Sequence, residues 1–197
     1  LWWAGFLDDY GASSAVVRLR PSTRPPVVLY TDAEGNGGLG ACLFRDGTSS
    51  WWQLRAPAHC RDLAGNLGFP RGMPIFLYEA MVPFVACRFW QRLLTGRALL
   101  VFVDNLTLLG ALQRGRSRTC PPLNCVVHAL LTLLHAHGGQ PSFFWVPTRF
   151  NIADPASRGA PSILSLSPTF ALVAFVAVSF AWFCRCCRLV LWTLAER

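Results

Sequence analysis

Six consecutive apolar residues, Ala98 to Val103, end in Asp104. An apolar run without alternation reads as a strand covered on both faces, and such strands belong to sheets flanked by helices. The run therefore predicts a central strand with an acid at its C-terminal end. The rest of the chain fits around it. Residues 27–33 (Val-Val-Leu-Tyr-Thr-Asp-Ala) are β-branched and aromatic and predict a strand. A glycine-rich turn, Gly35 to Gly40, leads to two further strands, 39–45 and 50–55, with Asp46-Gly47 as the hairpin turn. Residues 56–74 carry Pro, Gly and Asn and read as a loop. Residues 75–95 have a helical pattern closing at Gly96. A short helix is expected at 105–113 and a longer one at 123–137, stopping at Gly138-Gly139. Residues 142–146 predict a last strand, and residues 151–157 open a final helix. The order β-β-β-α-β-α-α-β-α, a meander followed by alternation, implies an α/β fold with helices packed on a mixed sheet.

The chain has 197 residues, enough for one domain with extensions. It is 53% hydrophobic and only 14% charged, which excludes an intrinsically disordered chain. Eighteen Lys and Arg against ten Asp and Glu give a formal charge of +8. That balance favours an anionic partner, a nucleic acid or an anionic membrane surface, although solubility alone would also account for it. Residues 1–25 end in a Pro- and Arg-rich stretch and read as an extension or linker. Residues 26–160 form the expected domain, and 161–197 a hydrophobic C-terminal segment. Of the eight cysteines, five are scattered, and Cys184, Cys186 and Cys187 crowd near the end. Two spaced ligand pairs are missing, so a zinc site is not expected. The opening Leu-Trp-Trp does not read as a signal peptide, so the thiols are expected to be reduced, in the cytoplasm or nucleus.

With only ten acids, each can be weighed singly. Asp32 falls at the end of the first strand, Asp104 at the end of the central one, Glu79 early in the long helix, and Asp154 at the start of the last helix. Carboxylates at the C-terminal ends of adjacent parallel strands, facing helix-borne ones, can converge on one point. Four of them repel strongly unless a cation neutralises them. Mg²⁺ suits an all-oxygen site, and two such ions about 4 Å apart can activate water and stabilise the leaving oxygen of a phosphodiester. Each acid also has a plain reading. Asp32 can be a strand-end turn residue, Asp104-Asn105 can cap the helix that follows, and Asp154 can be a first-turn acid favoured by the helix dipole. Glu79 resists such a reading, because it interrupts an apolar segment where an unpaired charge is costly.

Tyr30-Thr31-Asp32-Ala33, Tyr78-Glu79-Ala80, Val103-Asp104-Asn105 and Asn151-Ile152-Ala153-Asp154-Pro155-Ala156-Ser157-Arg158 stand in this order. Together they resemble the ordered motifs of RNase H-like domains, in particular the domain that follows reverse transcriptase in retroelements of the DIRS-like kind. The resemblance covers roughly residues 27–158. It implies a five-stranded mixed sheet with the second strand antiparallel, flanked by helices. It implies that Asp32, Glu79, Asp104 and Asp154 are the catalytic, metal-binding carboxylates for two Mg²⁺ ions, with Mn²⁺ as a substitute. It further implies hydrolysis of the RNA strand of RNA–DNA hybrids, leaving 3′-hydroxyl and 5′-phosphate ends, with a polymerase domain upstream. The chain begins without Met, and Leu1-Trp2-Trp3 is expected to be the tail of that polymerase's connection.

The chain departs from this pattern in two places. Pro83 lies inside the long helix and cannot donate to the Glu79 carbonyl; the kink expected there, costing about 3 kcal/mol if uncompensated, would misplace Glu79. Many RNase H enzymes carry a His in the loop before the last acid, but the loop here, Pro147-Thr148-Arg149-Phe150, has none. His128, His135 and His137 read as helix residues. Two rival motifs fail on context. Gly35, Gly37 and Gly40 satisfy G-x-G-x-x-G, but a hairpin rather than a helix follows, which excludes a dinucleotide fold. The glycines are expected to let the chain reverse beside Asp32 and to let a nucleic-acid backbone approach. Phe6-Leu7-Asp8-Asp9 resembles a polymerase turn, yet stands too close to the first strand for the rest of a polymerase to fit.

Nucleic-acid contacts are expected from Asn105, Arg114, Arg116, Arg149 and Arg158, with salt-sensitive affinity; a solvated basic loop is the alternative for the cluster Arg114, Arg116 and Arg118. From Gly159 to Phe183 the chain carries no charge, and residues 163–183 are long and apolar enough for a membrane span. The neighbouring cysteines would then be candidates for palmitoylation. The alternative to an active nuclease is a catalytically decayed retroelement-derived domain that binds nucleic acid or acts as a membrane-tethered interaction module.

Overall fold

The structure is a computed structural model that describes residues 24–56, 74–118 and 120–159. The expectations for the N-terminal extension, for most of the loop at 56–74 and for the apolar C-terminal segment, its membrane span included, lie outside the described residues. Among those described, no helix is long and apolar enough to cross a membrane.

Five strands form one sheet: β1 (Val27–Ala33), β2 (Gly38–Arg45), β3 (Thr48–Arg55), β4 (Ala98–Val103) and β5 (Gln140–Trp145). Their order across the sheet is β3-β2-β1-β4-β5. β2 runs antiparallel to both β1 and β3, whereas β1 and β4, and β4 and β5, are parallel. The helices are α1 (Pro74–Phe89), α2 (Gln91–Leu94), α3 (Leu106–Arg114), α4 (Pro121–Ala136) and α5 (Asp154–Ser157), with a 3₁₀ turn at Thr148–Phe150. This is the RNase H-like arrangement: a five-stranded mixed sheet with its second strand antiparallel and helices flanking it. The register matters for function. Val27 to Tyr30 pair with Leu99 to Phe102, so both strands run in the same direction and deliver Asp32 and Asp104 to the same end of the sheet.

Local chemistry accounts for the elements. Asp46 and Gly47 both have positive φ (51° and 75°), as a two-residue hairpin turn matched to strand twist requires. Arg97 clasps this turn to the start of β4, giving Nη1 and Nη2 to the Asp46 carboxylate (2.7 and 2.8 Å). On one face of the sheet Leu29, Leu39, Leu43, Leu99 and Val101 are buried with Leu77, Met81, Phe84 and Val85 of α1 and with Leu123, Val127 and Leu130 of α4. α1 packs against β1 and β2 on one side and α4 on the other. That explains why it is apolar almost all round: a helix enclosed on every side has no water-facing stripe.

Three expectations change. β4 is not covered equally on its two faces. Leu99, Val101 and Val103 are buried, while Leu100 and Phe102 are half-buried. Phe102 is shielded by its neighbours in the sheet rather than by a helix, stacking on Tyr30 at 4.7 Å and on Phe144 at 5.4 Å. The helix expected over 75–95 breaks at Trp90, whose ring is buried near Trp52. Pro83 interrupts nothing: α1 runs through it from Pro74 to Phe89.

The glycines reverse the chain beside Asp32 as expected, with Gly37 at φ 95° and Glu34 N–H on the Gly38 carbonyl at 2.7 Å, and they have a further purpose. A Cβ at Gly40 would lie 2.4 Å from the Ser157 nitrogen and 2.8 Å from the Ala153 oxygen; one at Gly38 would lie 2.0 Å from the Ser157 oxygen. The backbone that comes close to Gly38 and Gly40 is the chain's own, at Ala153 to Ser157. Bare glycine backbone on β2 lets α5 settle against the sheet, where Ala153 and Ala156 pack with Cys42 and Trp51.

Candidate active site

Asp32 is buried at the end of β1, and both carboxylate oxygens are held from the C-terminal motif. Asn151 Nδ2 donates to Oδ1 at 3.2 Å and also to the Thr31 carbonyl at 3.0 Å. Ser157 Oγ donates to Oδ2. Asn151 and Ser157 are themselves buried. The sequence motif contained both residues, but nothing local marked them as the props of an acid more than a hundred positions away; their polarity inside an otherwise apolar seam was the available signal.

Glu79, from the second turn of α1, reaches the same end of the sheet despite Pro83. Its Oε2 accepts a hydrogen bond from Asn105 Nδ2. The other end of that amide caps α3, with Asn105 Oδ1 accepting from the backbone N–H of Thr107 (2.9 Å) and Leu108 (3.0 Å). Asn105, expected as a nucleic-acid contact, thus has two internal duties: it caps a helix and orients a carboxylate. Asp104, just past β4, accepts from Thr148 Oγ1 at 2.9 Å, and its carbonyl accepts from the Trp145 indole at 3.2 Å.

Thr31, Asp32, Glu79, Val103, Asp104, Asn105 and Leu108 line one open pocket of about 170 Å³, its mouth included. Almost none of that space is enclosed, so this is a shallow cleft and not a cavity of the kind that encloses organic ligands. Three of the four expected acids therefore line one open cleft. Asp154 does not line the pocket. It stands in the first turn of α5, where its Oδ1 accepts from Arg158 Nε at 2.9 Å, and the guanidinium of Arg158 is raised in pKa by that bond. Asp154 nevertheless adds to the field at Asp32. Among the described residues no three acidic, His or Cys side chains close on a single point as a finished metal site would require.

The electrostatics identify what the pocket lacks. Burial raises the Asp32 carboxyl from its ordinary 3.8 to about 7; the Ser157 hydrogen bond opposes the rise, Asp104 and Asp154 add to it, and Arg158 opposes it. Burial likewise raises Glu79 from 4.5 to about 7, against the Asn105 hydrogen bond and with help from Asp104 and Asp32. No Lys or Arg lines the pocket. Both carboxyls are raised chiefly by burial, and the like charge of neighbouring acids adds to the rise.

The expected basic residues divide by position. Arg149 is exposed on the 3₁₀ turn beside Thr148, and Arg158 pairs with Asp154, so both stand close to the acids. Arg114 and Arg116 are exposed at the far end of α3 and just beyond it. α3 starts next to the pocket and rises about 1.5 Å per residue, so this pair lies on the order of 12 Å from the acids.

No protein-family model matches the chain, and no curated protein matches it. Solved structures similar to it include three RNase H proteins. The N-terminal RNase H domain of Rv2228c from Mycobacterium tuberculosis, solved as a fusion with maltose-binding protein, is 17% identical, over 70% of this chain and 94% of that one, with a TM-score of 0.49. RNase H1 from the halophilic archaeon Halobacterium salinarum NRC-1 is 15% identical, over 71% and 98%, with a TM-score of 0.48. LC11-RNase H1 in complex with an RNA/DNA hybrid is 15% identical, over 71% and 99%, with a TM-score of 0.48. Likeness at this level of identity concerns the fold alone.

Proposed function

We propose that the chain is a metal-dependent endonuclease that hydrolyses the RNA strand of RNA–DNA hybrids, as the RNase H domain of a retroelement reverse transcriptase of the DIRS-like kind. The observation that carries this reading is the meeting of Asp32, Glu79 and Asp104, from β1, α1 and the end of β4, in one small pocket without a cation of its own. The donor set is all oxygen, which suits Mg²⁺ and Mn²⁺. In this reading Asp32, Glu79, Asp104 and Asp154 would hold two such ions. When bound, the ions activate water and stabilise the leaving oxygen.

The chain's own residues supply position. Asn151 and Ser157 fix both oxygens of Asp32, Asn105 fixes Glu79, and Thr148 fixes Asp104. In the hydrolysis a water oxygen bonds to the scissile phosphorus and the P–O3′ bond breaks, giving a 3′-hydroxyl and a 5′-phosphate. Arg149 and Arg158 contact phosphates near the cut, and Arg114 and Arg116 contact more distant ones. In the retroelement setting a polymerase domain precedes this one, and the compartment is the cytoplasm or nucleus.

A second reading is favoured by one observation: Asp154 is paired with Arg158 and the acids do not close on a common point. It makes the chain a catalytically decayed domain that binds nucleic acid, tethered to a membrane if residues 163–183 span one. One experiment separates the two. The full chain with an end-labelled RNA–DNA hybrid and Mg²⁺ should cut the RNA, EDTA should stop it, and Asp32→Asn should abolish it. Binding of the hybrid without cleavage in either Mg²⁺ or Mn²⁺ would establish the second reading.

A further inference from the structure

The stretch from Trp145, the last residue of β5, to the 3₁₀ turn is tied to the acid pocket at two points, the Trp145 indole on the Asp104 carbonyl and the Thr148 hydroxyl on the Asp104 carboxylate. Along this segment two aromatic rings face solvent: Trp145 is 48% exposed and Phe150 60%. Single exposed apolar side chains are ordinary. Here two exposed rings stand on either side of Thr148, whose hydroxyl bonds a candidate catalytic acid. The turn is internally fixed, since Phe150 N–H donates to the Pro147 carbonyl at 2.8 Å and Asn151 N–H to the Thr148 carbonyl at 3.0 Å. The Arg149 guanidinium lies 4.7 Å from the centroid of the Phe150 ring, a cation–π contact that holds charge and ring together. Leu106 at the start of α3, directly after the pocket-lining Asn105, is 64% exposed.

We propose that Trp145 and Phe150, with Arg149, form a docking platform on which a base or sugar ring of the bound nucleic-acid strand packs, with the Arg149 guanidinium facing the adjoining phosphate. The inference rests on the hybrid-binding reading above and specifies how one strand is held. Three observations select a nucleic acid as the occupant. The pocket is an open cleft that encloses no cavity, so a polymeric substrate would lie over its rim. The chain carries a net charge of +8. Aromatic rings beside Arg pack against exposed sugars and unstacked bases while the charge meets phosphate, without regard to sequence. The missing loop His gains a counterpart here: the turn that lacks it contributes binding surface instead.

The test uses the full chain and a fluorescein-labelled RNA–DNA hybrid, with affinity read by fluorescence anisotropy in Ca²⁺ and cleavage read separately in Mg²⁺. Loss of one stacking ring should raise the dissociation constant of Phe150→Ala about 5- to 100-fold, while Phe150→Trp restores affinity. Arg149→Gln should lower the salt dependence of binding by about one counterion. Thermal melting of Phe150→Ala should match that of the wild type, because the ring is exposed. A dissociation constant for Phe150→Ala within twofold of the wild type overturns the platform. If that variant instead changes the oligomeric state with affinity unchanged, the rings belong to a contact between copies of the chain, and the proposal also fails. The two readings separate cleanly: unchanged affinity alongside cleavage that Asp32→Asn abolishes removes the platform and keeps the nuclease. Weakened binding in a protein that never cuts keeps the platform and removes the nuclease.

Discussion

Replacing Asp32 by Asn should stabilise the metal-free protein, and increasingly so as pH rises. The Asp32 carboxyl is raised from 3.8 to about 7, so the folded chain holds this proton more tightly than the unfolded one. The stability this group contributes is complete below about pH 3.8 and is lost as pH rises through 7. By linkage, ionising Asp32 costs the fold on the order of 1–2 kcal/mol at pH 5 and about 4 kcal/mol at pH 8. Asn keeps the shape and most of the hydrogen bonding. Its amide oxygen accepts from Asn151, and its NH₂ donates to Ser157 Oγ, which then gives its single proton to the Asp154 carbonyl 2.9 Å away. The advantage of Asp32→Asn over the wild type should therefore widen by about 2–3 kcal/mol between pH 5 and pH 8. The assay is urea unfolding of the full chain in EDTA at both pH values, followed by tryptophan fluorescence. A stability difference that stays the same at the two pH values would show that Asp32 is not the desolvated acid described here.

Four further outcomes follow from the same geometry. Mg²⁺ should raise the melting temperature far more at pH 8 than at pH 5, because a carboxylate must lose its proton to bind a cation; at a hundred times the dissociation constant the gain is about 2.7 kcal/mol. Gly40→Ala should destabilise the fold by at least 1–3 kcal/mol and reduce hybrid cleavage, since its methyl would overlap the backbone of α5; an unchanged melting curve would contradict the packing of α5 on β2. Asn105→Ala should cost about 1 kcal/mol through the lost cap of α3 and lower cleavage as well, whereas a purely structural cap would leave turnover of the folded fraction intact. Arg114→Gln with Arg116→Gln should weaken hybrid binding without regard to sequence and reduce its salt slope, by about one counterion for each phosphate no longer neutralised; an unchanged slope would mark the pair as a solvated face.

The sheet was readable because its signals are local. β1 and β4 run over the residues expected, Val27–Ala33 and Ala98–Val103, each an apolar or β-branched run closed by an acid or a turn. The Asp46-Gly47 hairpin followed from its turn chemistry. Three of the four acids gather in the pocket because strand ends and a helix's early turn are positions that sequence order can specify. What local pattern could not supply is partnership. The break at Trp90, the half-exposed second face of β4, the Arg158 grip on Asp154 and the buried hydrogen bonds from Asn151 and Ser157 to Asp32 all depend on which segments meet in space. The glycines illustrate the same limit. Their spacing resembled a phosphate-binding turn, whereas their purpose is set by the backbone of α5 passing over them.

That passage has a consequence for how the protein is made. The first acid of the pocket is anchored from residues that lie 119 and 125 positions further along the chain. While the polypeptide is still being synthesised, the sheet can grow strand by strand, but Asp32 has no anchors until α5 has emerged from the ribosome and docked on β2. A product that stops before Asn151 lacks both anchors of Asp32, so the candidate site is complete only with the last described helix.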